Sequence, residues 1–209
     1  MGADKFKTAL KIGQGGVSVD MPADEAAKTV SLYRAKYDRI AALWKAADKA
    51  LEAMVNGFEA EFGQGITLRC TPARDEMGID AAIALPNGTH IRYPGLRKTK
   101  EGFEYDNRYG AVKIYGAKVV ENVVQALARI VVFDQMARID QMMRPLDTPE
   151  RRHKVVLTVH DEIVVVVPED KGQEVLTTVL QEMSKPLKWC LDLPIACEGD
   201  IALTYGDAE

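Results

Sequence analysis

The sequence predicts an α+β fold, and three observations carry that prediction. Apolar residues recur at spacings of three and four from Asp20 to about Asn56 and again from Lys118 to about Arg144. Between these stretches, residues 63–115 consist of short β-prone runs broken by Pro, Asn and Gly. Beyond them, Val155-Val156-Leu157-Thr158-Val159 and Ile163-Val164-Val165-Val166-Val167 flank the charged tripeptide His160-Asp161-Glu162. At 209 residues, with 47% hydrophobic and 28% charged content, the chain is long enough for one sizeable globular domain, or one domain with a small lobe.

The elements follow in order. Asp4 to Lys11 is a short helix stopped at Gly13-Gln14-Gly15-Gly16. Asp20, followed by Pro22, Asp24 and Glu25, marks the start of a longer helix, with a cap, an early proline and first-turn acids. Ala27, Val30, Leu32, Tyr33, Tyr37, Ile40, Leu43 and Trp44 carry its period, with a bend expected near Asp38 and a stop at Gly57. Ile66 to Cys70, Ala82 to Leu85 and His90 to Tyr93 read as antiparallel strands. Asn87-Gly88 between two of them predicts a type I′ hairpin turn, because that turn needs two positive φ angles. In the next helix Val119, Val120, Val123, Leu127, Val131 and Ile139 can face a core, and Pro145 closes it. Gly172 to about Trp189 reads as a helix with a kink or end at Pro186, and 193–203 as a final strand.

Composition removes several function classes. No apolar run approaches the roughly 20 residues that span a membrane, and the first residues lack a signal-peptide core. Phe6 stands where N-myristoylation needs Ser or Thr. Cys70, Cys190 and Cys197 form neither a disulfide framework nor a zinc spacing, so reduced thiols are expected. The net charge of −4 runs against a simple nucleic-acid binder. Arg92, Arg97, Lys98, Lys100, Arg108 and Lys113 nevertheless form a locally basic stretch.

The tripeptide is where chemistry is expected. A turn made of His160, Asp161 and Glu162 contains no Gly, Asn or Pro, and such a mismatch between local preference and context is where a functional site is worth suspecting. Two strands would hold the carboxylates at the lip of a sheet, in a form that suits a hard cation such as Mg²⁺. The competing reading is two solvated acids at a strand turn, since two carboxylates alone have little specificity.

Leu157 to Val164 resembles motif C of the family A DNA polymerases, the group of bacterial polymerase I and many phage replicases. Gly116 to Arg129 resembles the palm helix upstream of that motif in phage members, and Tyr93-Pro94-Gly95-Leu96-Arg97-Lys98 resembles the β-rich segment before the helix. The blocks stand in the family's order, and the resemblance covers nearly the whole chain. It implies a helical rear-fingers segment over residues 1–60 and the second half of a palm over 61–209, with antiparallel strands and a motif C hairpin. The activity implied is template-directed nucleotidyl transfer with Mg²⁺, on primer–template DNA and deoxynucleoside triphosphates, in the cytoplasm of a bacterium or phage-infected host.

By the same resemblance Asp161 is a metal ligand and catalytic carboxylate, and Glu162 an auxiliary acid. His160 stands beside the primer terminus or packs at a strand end. Gln125 reaches the duplex minor groove, where an amide can donate to the acceptors present on every base pair. On its own it reads as an exposed helix residue. Arg129 touches the DNA backbone or forms an ion pair. Many relatives place Asn four residues before this Gln; here that position is Glu121, with Asn122 beside it.

The family's motif A aspartate and the fingers helix with its triphosphate-binding lysine have no counterpart in these residues. Met1 to Phe6 resembles the stretch just behind that helix. The chain is therefore expected to be the C-terminal part of a polymerase domain. It is expected to be inactive alone, to need an N-terminal fragment as partner, and to leave apolar surface uncovered. The alternative is a non-catalytic DNA-binding or scaffold remnant of a palm. An unrelated metal-dependent nuclease lacks a second acidic cluster.

Overall fold

The computed structural model describes residues 2–13 and 16–207. Gln14 and Gly15, in the break expected after the first helix, lie outside the described residues. The architecture is α+β: five α-helices and three antiparallel sheets among the described residues.

Helices α1 (Ala3–Lys11), α2 (Ala23–Lys36) and α3 (Asp38–Val55) come first. The bend expected near Asp38 is a complete break at Tyr37, whose backbone leaves the helical region at φ −112° and ψ 52°. Asp38 Oδ1 accepts the Arg39 amide at 2.8 Å at the new helix start. Helix α3 is the first to bury a face, with Ala47, Ala50, Leu51 and Met54.

Two meanders follow. Strands β1 (Ala60–Phe62), β2 (Leu68–Thr71), β3 (Ala81–Ala84) and β4 (His90–Tyr93) form one sheet in sequence order. Strands β5 (Arg97–Thr99), β6 (Gly102–Asn107) and β7 (Gly110–Ile114) form the second. The β3–β4 connection is not the predicted type I′ turn. Leu85 and Thr89 close a three-residue loop in which only Gly88 has positive φ, at 83°. Pro86 fixes a negative φ at the loop's first position, which suits a type I turn followed by a left-handed residue. Asn87 Oδ1 accepts from both the amide and the hydroxyl of Thr89, at 3.1 and 2.7 Å.

Helix α4 (Gly116–Met143) links two cores. Its 28 residues span roughly 42 Å at about 1.5 Å per residue. Val119, Val123 and Ile130 join Leu51, Ile83, Tyr93 and Cys70 in the first core. Burial there pushes the Cys70 thiol up to about 12. Ile139 and Met143 join Val175 and Val179 of α5 (Gly172–Met183) in the second, beneath β8 (Lys154–Val159) and β9 (Glu162–Val166).

Polar contacts bolt α4 to α5. Gln135 is buried because its amide donates to the Met183 carbonyl at 2.5 Å, filling an acceptor at the end of α5. Glu182 is buried against Lys185 and Arg138, and those cations hold its carboxyl below the usual range.

One C-terminal expectation holds and one fails. Helix α5 begins at Gly172 and ends at Met183, just before Pro186, short of Trp189; Lys185 precedes the proline, a position that disfavours helix. Residues 193–203 form no strand. They lie over α5 instead, with Ile201 against Gly172 and Gly199 against Leu176. No helix of the described residues is long and apolar enough to cross a membrane.

Candidate active site

The two β-branched runs do form a hairpin. Thr158 pairs with Ile163 and Val159 with Glu162, leaving His160 and Asp161 as a two-residue turn. Glu162, read in sequence as part of the turn, is the first residue of β9. His160 has φ 53° and is the non-glycine residue with positive φ among those described. Positive φ at the first loop position alone is the pattern of a type II′ turn, which favours glycine there. Such a residue stores about 1–2 kcal/mol of backbone strain. A β-branched side chain tolerates the angle worst. His160→Val is therefore expected to lower stability by about 1–2 kcal/mol, and His160→Gly to hold or raise it. Urea midpoints of the two variants check this pair.

A β-bulge between Val155 and Leu157 shifts the register of β8. Bulges bend a strand and re-aim its side chains, and they are frequent beside active sites. Val155, Ile163 and Val165 face the second core. Opposite them, Leu157 and Val166 remain 46% and 45% exposed, and Val156 at the bulge 50%. Strands apolar on both faces are the kind normally buried on both faces.

His160, Asp161 and Glu162 are all exposed at the tip. Glu162 Oε2 accepts the Tyr205 hydroxyl at 3.0 Å, and this bond raises the Tyr205 phenol above its ordinary range. Sequence reasoning missed Tyr205. The signal was the Gly206-Asp207 pair behind an aromatic, which marks a turn rather than a strand. Among the described residues no group of three or more His, Cys, Asp or Glu side chains is placed to hold a metal ion. The donor set at the tip is two adjacent carboxylates. That suits Mg²⁺, which is held by one or two carboxylates with water and phosphate filling the rest of its shell.

Gln125 and Arg129 are exposed one turn apart on α4. The Gln125 amide lies 3.5 Å from Glu121 Oε1, and Lys118 Nζ pairs with the same oxygen at 2.7 Å, so the acid of this face is neutralised locally. Asn122 turns inward, its amide donating to the buried Tyr93 hydroxyl at 3.3 Å. Arg129 stacks on Phe133 at 4.5 Å and makes no ion pair among the described residues. Its guanidinium is left with donors to offer a phosphate. No hydrogen bond or ion pair among the described residues joins these α4 residues to the hairpin tip.

Three of the six cations of the basic stretch are paired with acids. Arg97 binds Glu104 and Asp106, each at 2.8 Å, Lys98 binds Glu52 at 2.7 Å, and Lys113 binds Glu101. An apolar cleft of about 120 Å³ between α3, β2 and α4, lined by Leu43, Leu68, Val123 and Leu127, includes no hairpin residue.

Comparison with known proteins adds one decisive finding. The chain is 28% identical over 217 aligned positions to the DNA polymerase of Bacillus phage SP02, an alignment covering 98% of this chain. The chain is related to a phage DNA polymerase. It spans 31% of that relative's length. No family model matches the chain, and no solved structure matches it.

Proposed function

We propose that these 209 residues are the C-terminal part of a family A DNA polymerase of phage type. Residues 1–60 would be the rear fingers and 61–209 the second half of the palm. The observation that carries this reading is the relation to a phage polymerase along nearly the whole chain. The strained, exposed His160-Asp161-Glu162 tip is its proposed site.

In this reading Asp161 holds Mg²⁺ and Glu162 is the auxiliary acid. The ion would supply positive charge for the attacking hydroxyl and the phosphoryl group. His160, fixed by the turn, stands at the primer terminus. Gln125 donates to minor-groove acceptors, and Arg129 offers its guanidinium to a phosphate. One aspartate and no triphosphate-binding lysine are too few for turnover, so primer extension requires a partner segment that supplies them. The uncovered outer face of the β8–β9 hairpin supports such a partner, which would bury Leu157 and Val166.

Gln125→Ala in the reconstituted enzyme is expected to change stability by less than about 0.5 kcal/mol, because the side chain is exposed. It should slow extension from mismatched primer ends more than from paired ends. Single-turnover extension on matched and mismatched primers checks it; equal rates on both would leave Gln125 a plain surface residue.

A further inference from the structure

Helix α2 carries an exposed aromatic pair set among cations. Ala26 is its buried residue, and every position from Ser31 to Ile40 is exposed. Tyr33 and Tyr37 stand one turn apart and remain 48% and 42% exposed. Their ring centroids lie 4.8 Å apart with the planes tilted by 47°. The rings brace each other, which orients them without burying them. Lys36 Nζ sits 5.7 Å from the centroid of the Tyr37 ring. Local charge here is opposite to that of the whole chain. Residues 28–39 hold Lys28, Arg34, Lys36 and Arg39 against a single acid, Asp38. Asp38 Oδ1 is engaged by the Arg39 amide at 2.8 Å. Lys28, Lys36 and Arg39 form no ion pair among the described residues.

We propose that Tyr33 and Tyr37, with Lys36 and Arg39, form a binding surface for single-stranded DNA. Unpaired bases stack on aromatic rings whatever their sequence, and cations without an acidic partner attract the backbone phosphates. A lysine held over a tyrosine ring suits a strand that presents base and phosphate side by side. It suits a protein segment poorly, because the cores of protein interfaces are depleted in lysine. The surface lies on α2 and at the start of α3, on none of the residues given roles at the hairpin tip or on α4. The choice of DNA as the strand rests on the polymerase reading, in which the unpaired strand is the template.

The test is fluorescence anisotropy of a labelled oligothymidylate titrated with the full chain, without divalent metal. A variant carrying both Tyr33→Leu and Tyr37→Leu keeps apolar side chains and removes the rings. It is expected to bind about a hundredfold more weakly, from stacking worth roughly tenfold per base. The corresponding pair of Tyr→Phe changes keeps the rings and should bind as the parent does. Lys36→Gln and Arg39→Gln should each flatten the dependence of log affinity on log salt by about 0.7. A parent chain that binds no oligothymidylate overturns the proposal. So does a leucine pair that binds as tightly as the parent, the result expected if α2 is a docking face for another protein segment. A phenylalanine pair that loses as much as the leucine pair, or a salt slope unmoved by either glutamine change, overturns it as well. Failure of the polymerase reading shows differently, as absent primer extension by the reconstituted enzyme while oligothymidylate binding persists.

Discussion

Asp161→Asn in a reconstituted polymerase is expected to lower primer extension about a thousandfold, or ~4 kcal/mol of transition-state stabilisation. The substitution keeps the size of the side chain and removes the charge that would hold a hard cation. It should spare the fold. Asp161 is exposed, occupies the second turn position, and has no positive φ that the change could disturb. Surface substitutions of this kind stay within about 0.5 kcal/mol. DNA binding, which rests on the duplex contacts proposed for α4, should persist. Rapid-quench extension together with a duplex-binding titration separates these effects. Near-normal extension by the variant would remove Asp161 from the metal site.

Gly116→Ala should be among the most damaging conservative changes to the fold. A Cβ at Gly116 would lie 1.9 Å from the Trp44 carbonyl oxygen and 2.8 Å from Asp48 Cγ. Both neighbours belong to α3, whose backbone crosses the start of α4 at this point. The Gly116 amide donates to Asp48 Oδ1 at 2.5 Å, which places an anion at the positive end of α4. A methyl group cannot enter without driving the helices apart. Overpacking of this kind costs about 3 kcal/mol, enough to remove a large part of a domain's margin. Asp48→Ala removes only the cap and should cost about 1 kcal/mol. Urea denaturation of the two variants should reproduce that order; equal, small losses would show that α3 and α4 can separate without penalty.

These two sites also mark the limit of what the sequence makes legible. The hairpin is readable because its Val and Ile runs leave little alternative, and Asp161 and Glu162 are adjacent in the chain. Helix α4 is readable from the spacing of Val119, Val123 and Ile139. The need for glycine at 116 is not, because its cause is a backbone carbonyl in α3, far away in sequence. The strain at His160 is hidden as well: histidine carries no strong turn signal, and the hydrogen-bonded strands impose the angle. Residues 193–203 mislead in the opposite direction. Their apolar alternation reads as a strand, yet tertiary packing decides, and Gly199 lets the segment lie against α5. Tyr205 could not be linked to Glu162 from sequence because 43 positions separate them.

In the proposed function this chain supplies motif C to a polymerase completed by another segment. The most direct measurement is primer extension by this chain mixed or co-expressed with the part of the phage SP02 polymerase that lies outside the matched region. Mg²⁺-dependent extension by the pair is expected, with none by either piece alone and loss of the pair's activity on Asp161→Asn. A folded, associated pair that extends no primer, or extension indifferent to Asp161, would contradict it.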